Sequence, residues 1–222
     1  MNQSNNYPGL LNVHSIVPVS VSMGPGKRYV VWVQGCSRHC PDCINPLTHS
    51  HRPQILLDPR RLANSVLAVP QIEGLTVTGG EPLEQPAAVA CLCRIVKEKG
   101  LSIMVFTGWT YKSICNSDDP DVKNLLEQID ILVDGPFVPV QIDSSLLWRG
   151  SGNQKIYLLT NRYSPDVLEN NQPHLEGRIS NNSPLELSGF WNKSDMTILA
   201  GHLASEAGIV LESTETDDEN AG

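Results

Sequence analysis

From about residue 29 to residue 160, short apolar runs alternate with longer stretches in which apolar residues recur at helical spacing. The runs are rich in β-branched residues and predict buried strands. They lie at 29–34, 75–78, 102–106, 129–133 and 155–159. The stretches between them predict helices at 58–69, 85–99, 111–115 and 121–128. The first of these has Asp58 as N-cap and Pro59 in the first helical position, and the second stops at Gly100.

Strands that alternate with helices at this interval predict an α/β fold with a parallel sheet and right-handed crossovers. Five or so strands are too few for a closed eight-stranded barrel, so we predict a partial (βα) barrel. Each loop that contains glycine or cysteine follows a strand, at the sheet edge where parallel α/β folds build their sites.

The two ends of the chain have a different character. Residues 1–28 are interpreted as irregular, with a turn at Gly24, Pro25 and Gly26. Residues 161–184 are rich in Asn, Pro and Ser and are predicted to form a loop, after which 185–190 and 196–199 would pair as a small hairpin. The last eleven residues, 212–222, lack large apolar groups and are predicted to be disordered. We therefore divide the chain into a core domain (1–160), a C-terminal extension (161–211) and an acidic tail (212–222).

Composition limits the class of protein. A hydrophobic content of 40% supports a real core, and no run approaches the ~18 apolar residues of a membrane span. The net charge of −8 argues against nucleic acid as a main partner. The polar N-terminus does not have the features of a secretory signal, so a cytoplasmic location is expected.

Three of the six cysteines follow the first strand directly, as Cys36, Cys40 and Cys43. The spacing C-x3-C-x2-C folds three thiolates around one point, whereas a [4Fe–4S] cluster commonly has four cysteines. One iron would then have no protein ligand and would be open to a substrate or cofactor. A structural zinc site with His39 or a distant residue as fourth ligand is the alternative, although zinc ribbons usually have a second pair of cysteines. Cys91 and Cys93 are interpreted as core thiols on an apolar helix face or as surface thiols, and Cys115 as an isolated thiol.

A second motif, Gly79-Gly80-Glu81-Pro82, follows the second predicted strand. Together with the cysteine triad it resembles the radical S-adenosylmethionine (SAM) superfamily, and within it the activating enzymes of anaerobic ribonucleotide reductase. The resemblance covers roughly residues 20–160, and the similar pieces occur in order. They are Gly24-Pro25-Gly26-Lys27-Arg28, Gln34-Gly35-Cys36, Cys40-Pro41-Asp42-Cys43-Ile44-Asn45, Thr78-Gly79-Gly80-Glu81-Pro82-Leu83, Thr107-Gly108-Trp109, Val133-Asp134-Gly135-Pro136-Phe137 and Trp148-Arg149-Gly150-Ser151-Gly152-Asn153-Gln154.

The resemblance implies a site and a reaction. Cys36, Cys40 and Cys43 would bind a [4Fe–4S] cluster whose open iron chelates SAM. Reductive cleavage would give methionine and a 5′-deoxyadenosyl radical, which takes a hydrogen from a glycine of a partner enzyme. A low-potential donor such as flavodoxin or ferredoxin would supply the electron.

The resemblance also implies a set of SAM contacts. Gly79, Gly80 and Glu81 would meet the methionine amine, and Asp42, Cys43 and Ile44 would lie near the adenine. Asp42 stands where close relatives have Gly, Ile44 stands where they often have Tyr, and Gly152 stands where they usually have Ser. Asp134 would face the ribose or carboxylate of SAM, or would only form an Asp-Gly turn.

Two other functions remain open from the sequence. A compact radical SAM enzyme could instead modify a peptide or a small molecule, with the long C-terminal region adapting the substrate surface. A non-enzymatic iron–sulfur or zinc-binding module would bind metal without any turnover of SAM.

Overall fold

The computed structural model describes residues 7–169, 175–180 and 183–189. In this part of the chain an open seven-stranded mixed sheet packs one face against helices. The strands are β1 (Leu11–Ser20), β2 (Arg28–Val33), β3 (Ile55–Leu57), β4 (Gly74–Gly79), β5 (Ser102–Phe106), β6 (Ile131–Asp134), β7 (Lys155–Leu158), β8 (Leu175–Ser180) and β9 (Ser183–Gly189). The helices are α1 (Pro59–Leu67), α2 (Pro86–Glu98), α3 (Tyr111–Cys115), α4 (Pro120–Leu126) and α5 (Asp166–Glu169).

The order of strands in the main sheet is β3-β1-β2-β4-β5-β6-β7. The four central strands, β2, β4, β5 and β6, run parallel to one another, as the alternation of strands and helices predicts. The outer pairings of β1 with β2 and β3, and of β6 with β7, are antiparallel. Among the described residues, β3 and β7 are the two edge strands, and they do not pair with each other to close a barrel.

Burial on both faces explains why the central strands have continuous apolar runs. In β2, Tyr29, Val31 and Val33 join the larger core, which α1 and α2 cover. Val30 and Trp32 point to the opposite face and join a smaller cluster there. A strand that is buried on both faces cannot show the polar alternation of a half-exposed strand.

The helix predictions are confirmed by capping and burial. At the start of α1 the Asp58 carboxylate accepts the Arg60 N–H at 2.7 Å, with Pro59 in the first turn. Helix α2 buries an apolar stripe against the sheet, namely Val89, Leu92, Cys93 and Val96. The backbone leaves this helix through Gly100, whose φ of +86° is the left-handed conformation that the C-terminal stop requires. None of the helices in the described ranges is both long and apolar enough to cross a membrane.

The prediction that residues 1–28 are irregular is wrong, because β1 occupies Leu11–Ser20. Its pairing with β2 is interrupted between Val13 and Ser15 and between Val17 and Ser20, which breaks the two-residue period. Pro18 is tolerated in this inner strand because β3 pairs only with Leu11 to Val13.

The C-terminal part of the sheet also differs from the prediction. Strand β7 lies at the predicted position but runs antiparallel to β6, because the segment between them has only one 3-10 turn (Pro139–Gln141) and no α-helix to carry the chain back across the sheet. The predicted loop at 161–184 contains α5 and β8, and β8 pairs with β9 as an antiparallel hairpin. The predicted partner strand at 196–199 and the tail at 212–222 lie outside the described residues.

Candidate functional site

The cysteine loop, residues 36–51, begins directly after β2 and returns to its own starting point. The Gln34 side chain closes it by donating from Nε2 to the carbonyl oxygens of Ser50 (2.6 Å) and Leu47 (3.2 Å). Two backbone hydrogen bonds close the loop further: the Gly35 N–H donates to Thr48 O (2.8 Å), and the Cys36 N–H donates to His49 O (3.2 Å). The two ends of the loop are thus fixed together at the carboxyl end of β2.

All three predicted cysteine ligands are half-buried in this loop, and no disulfide joins them. His39 and Asp42 adopt left-handed backbone angles, with φ of +45° and +51°, and these residues turn the chain around the cysteines. Within residues 7–169, 175–180 and 183–189, no three Cys, His, Asp or Glu side chains form a group that could hold one metal ion. A four-iron cluster needs no such group, since each of its cysteine ligands binds a different iron.

Backbone N–H groups near the sulfur atoms fit thiolate ligands of a cluster, although burial opposes ionisation of the free thiols. Burial raises the pKa of Cys36 to about 11, and the backbone N–H groups of Arg38 and His39 act in the opposite direction. Burial also raises the pKa of Cys43, whose Sγ accepts the Asn45 N–H at 3.4 Å. N–H groups directed at sulfur stabilise a negative charge there and are one means by which proteins tune iron–sulfur clusters. The residues present therefore fit a bound cluster.

The Gly-Gly-Glu loop lies against the start of the cysteine loop. Gly80 donates its N–H to Val33 O and Glu81 donates its N–H to Gly35 O, both at 2.8 Å. A Cβ atom on Gly80 would lie 2.3 Å from Gly35 O, so only glycine permits this approach. The two motifs, 44 residues apart from Cys36 to Gly80, are brought together by the parallel pairing of β2 with β4.

Glu81 is only 1% exposed and links the β4 exit loop to the β5 exit loop. Its Oε1 accepts from the Thr107 hydroxyl (2.7 Å) and the Leu83 N–H (3.0 Å), and its Oε2 accepts from the Gly108 N–H (2.9 Å). Burial raises the pKa of Glu81 to about 7, against the effect of these donors and of Arg38. The carboxyl group therefore holds two loops in place, which is a role that the sequence does not reveal.

Asp134, at the end of β6, accepts two backbone hydrogen bonds from neighbouring elements. Its Oδ2 accepts the Tyr111 N–H at 2.6 Å, at the start of α3, and its Oδ1 accepts the Lys155 N–H at 3.2 Å. Asp42 and Ile44 lie in the cysteine loop, and both side chains are exposed, Ile44 by 36%. The structure thus places Asp42, Cys43 and Ile44 on one turn, while Asp134 supports α3 and β7.

Two further residues of this region, Arg38 and Glu84, are not predicted from the sequence. The Arg38 guanidinium lies 5.2 Å from the centre of the Trp109 ring, and its buried Nε has no partner among the described residues. Glu84 accepts the Ser37 N–H at 2.8 Å and contacts His51 Nε2 at 2.7 Å. Neither residue belongs to a periodic pattern, and only their nearness to the two motifs would have drawn attention to them.

The remaining motif, residues 148–154, holds the loop that follows β6 through side-chain hydrogen bonds. Gln154 Nε2 donates to Gly135 O (3.0 Å) and Asn153 Nδ2 donates to Pro136 O (2.7 Å). Trp148 is 2% exposed and packs in an apolar cluster, so its role is structural. Cys93 is buried in the main core, which confirms its interpretation as a core thiol.

Comparison with known proteins places this site in a family. The model of the 4Fe-4S single cluster domain matches residues 22–157, which is more than half of the chain. Two anaerobic ribonucleoside-triphosphate reductase-activating proteins, from Vibrio cholerae and Escherichia coli K12, are 33% and 32% identical to this chain in the aligned regions. These matches cover 68% and 67% of this chain and 99% of each relative. The protein of the same name from enterobacteria phage T4 is 31% identical, over 66% of this chain and 94% of its own length.

The class of protein defined by the fold and the cysteine loop is thus that of the single-cluster 4Fe–4S proteins. Within this class, the chain belongs to the family of the anaerobic ribonucleoside-triphosphate reductase-activating proteins.

Proposed function

We propose that this protein is a radical SAM activating enzyme that generates a glycyl radical on an anaerobic ribonucleoside-triphosphate reductase. The observation that carries the proposal is the direct contact of the two motifs, in which Glu81 N–H bonds to Gly35 O at 2.8 Å beside Cys36. The relatives named for the same activation support the choice of reductase as partner.

The proposed site residues divide into two groups. Cys36, Cys40 and Cys43 would hold a [4Fe–4S] cluster with one iron open to SAM. When bound and reduced, this cluster supplies the electron that cleaves SAM into methionine and a 5′-deoxyadenosyl radical. The chain's own residues bind and orient SAM, and the proposed contacts are Gly79, Gly80, Glu81, Asp42, Cys43, Ile44 and Asp134.

Besides any direct contact with SAM, Glu81 and Asp134 would hold in place the loops that surround it. Both Glu81 oxygens already accept from the loop that follows β5, and Oε1 also accepts from the loop that follows β4, so the carboxyl group fixes the wall against which the methionine moiety would bind. Asp134 would likewise set the position of the β6 exit loop through Tyr111 and Lys155. Backbone carbonyl groups of the glycine loop remain as acceptors for the ammonium group.

Several finer points belong to the same proposal. The main sheet would curve as a partial barrel, with residues 1–160 as the catalytic core and 161–211 as an extension before the tail at 212–222. The electron donor would be a flavodoxin or a ferredoxin, and the protein would work in the cytoplasm. The position of the cysteine triad and of the Gly-Gly-Glu motif within residues 1–160 supports this choice of catalytic core.

The test begins with anaerobic reconstitution of the full chain with iron and sulfide, followed by dithionite and SAM. We expect 5′-deoxyadenosine from the wild type and from Cys115→Ala, a matched control at an exposed free thiol. Cys40→Ala should give none. A glycyl radical signal in electron paramagnetic resonance (EPR) should then appear when the wild type is mixed with the reductase. If the wild type binds no iron or makes no 5′-deoxyadenosine, the proposal is wrong.

A second candidate is a radical SAM enzyme that modifies a peptide or small molecule. It is favoured by the length of the chain, because the aligned relatives match only 66–68% of it. Formation of 5′-deoxyadenosine without any glycyl radical on the reductase would favour this candidate over the first.

A further inference from the structure

Glu84 lies beneath the cysteine loop, at the end of the short turn Pro82–Glu84 that follows the Gly-Gly-Glu motif. Its Oε1 accepts the backbone N–H of Ser37, the residue after Cys36, at 2.8 Å. Its Oε2 lies 2.7 Å from His51 Nε2 and 3.4 Å from the Ser37 hydroxyl. The carboxylate therefore fixes the cysteine loop at both of its ends, and its own side chain is only 20% exposed.

The charge of this carboxylate acts on the first cysteine. Two acidic residues bond to the chain on either side of Cys36: Glu81 donates its N–H to Gly35 O at 2.8 Å, and Glu84 accepts the Ser37 N–H at 2.8 Å. Glu81 is itself a weak acid here, since burial raises its pKa to about 7. The cation Arg38 extends over Trp109, on the β5 exit loop. The contact of Glu84 with His51 carries a compensating charge only when the imidazole is protonated.

A negative charge beside a cluster opposes the arrival of an electron. The net charge around a cluster, hydrogen bonds to its sulfur atoms and its exposure to solvent set its reduction potential. In a half-buried site the effective dielectric constant is lower than in water, so one carboxylate has a measurable effect. Cleavage of SAM requires a strongly reducing cluster, and a fixed anion near a ligand provides one means of obtaining it.

We propose that Glu84 is a positioning residue that holds Ser37 and, through its charge, lowers the reduction potential of the cluster bound by Cys36, Cys40 and Cys43. This inference rests on the proposed function, because it requires the cluster. It assigns Glu84 a role outside the SAM contacts implied by the family. Glu84→Gln tests the charge, since the amide keeps nearly the same shape and an oxygen that can accept the Ser37 N–H.

The experiment is an EPR-monitored redox titration of the reconstituted full chain without SAM, with all variants at the same mildly alkaline pH. We expect the cluster of Glu84→Gln to be reduced about tenfold more readily than that of the wild type, a positive shift of ~59 mV for a one-electron couple. Glu84→Asp keeps the charge and should stay close to the wild type. Glu98→Gln, on the exposed face of α2, is the matched control and should not shift.

Three results would overturn the inference while leaving the proposed function intact. The first is a wild-type potential in Glu84→Gln. The second is the same positive shift in Glu84→Asp as in Glu84→Gln, because geometry and not charge would then be responsible. The third is loss of the cluster from Glu84→Gln but not from Glu98→Gln, because the carboxylate would then be needed for cluster binding. If the wild type binds no four-iron cluster, both proposals fail together.

Discussion

The Glu81 carboxyl group lies between two loops and is hidden from solvent, and its protonation is therefore linked to folding. Burial raises its pKa from 4.5 to about 7. Between these values the native state binds a proton that the unfolded chain releases, so the free energy of unfolding falls as the pH rises through this range. The three hydrogen bonds from Thr107, Leu83 and Gly108 limit this effect without removing it.

Glu81→Gln should remove this dependence on pH. In urea unfolding, the wild type should lose up to about 1.4 kcal/mol of unfolding free energy per pH unit between pH 4.5 and 7, relative to the variant. Glu98→Gln, at an exposed position, should follow the wild-type curve. Parallel curves for the wild type and Glu81→Gln would contradict a raised pKa at this site.

Gly80 tests the contact between the two motif loops. In Gly80→Ala the new Cβ would lie 2.3 Å from Gly35 O, and neither backbone segment can move without breaking the bonds to Val33 and Gly35. We expect a loss of about 1–3 kcal/mol in unfolding free energy, together with reduced uptake of iron. Gly152→Ala is the matched control, because its nearest neighbour lies at 3.7 Å. Equal iron content and stability in the two variants would show that the loops tolerate separation.

At the level of elements, Arg28 ties the beginnings of the central strands together. This buried side chain donates to Thr76 Oγ1 (2.6 Å), Ser102 Oγ (2.9 Å), Leu75 O (2.7 Å), Ser102 O (3.2 Å) and Pro25 O (3.3 Å). A planar guanidinium can satisfy five acceptors at fixed positions, whereas a lysine ammonium has three donors.

Arg28→Lys should therefore leave buried acceptors on β4 and β5 without partners. We expect a loss of about 2–4 kcal/mol in the free energy of unfolding, measured in urea. Arg94→Lys, on the exposed face of α2, should change it by less than about 0.5 kcal/mol. A similar stability of the two variants would mean that water or a shift of the strands replaces the lost hydrogen bonds.

The sequence predicts best the strands that are buried on both faces along their length. Strands β2, β4 and β5 are buried on both faces, so their apolar runs are continuous and easily recognised. Strand β1 escapes prediction because two interruptions in its pairing break the alternation. The direction of β7 depends on a loop without a crossover helix, which strand propensity does not encode.

The candidate site likewise contains one contact that the sequence predicts and others that it does not. The approach of the Gly-Gly-Glu loop to the cysteine loop follows from parallel strands, whose carboxyl ends meet at one edge. The contact of Ser37 with Glu84 joins residues 47 positions apart across two irregular loops. No periodic pattern specifies such a contact, and the orientation of Arg38 over Trp109 likewise depends on the folded shape of the loops.

On the scale of the whole molecule, the cysteine loop and the β8–β9 hairpin lie at opposite ends of the β1–β2 pair. Ser20 of β1 pairs with Arg28, the first residue of β2, whereas the cysteine loop follows Val33 at the other end. The hairpin is anchored near Ser20, where Glu176 Oε2 accepts from the Ser20 hydroxyl (2.6 Å) and the Val21 N–H (3.1 Å). A strand of this length separates the two attachment points by roughly 20 Å.

This separation predicts that the hairpin can be loosened without disturbing the cysteine loop. Glu176→Ala removes the acceptor of Ser20 and Val21, so amide hydrogen exchange at Val21 and in 175–189 should become about tenfold to a hundredfold faster, equivalent to ~1.5–3 kcal/mol of charge-assisted hydrogen bonding. Exchange in residues 36–51 and the yield of 5′-deoxyadenosine should not change. Glu169→Ala, at an exposed position on α5, is the control. Faster exchange in the cysteine loop of Glu176→Ala alone would show that the hairpin is coupled to the site across the sheet.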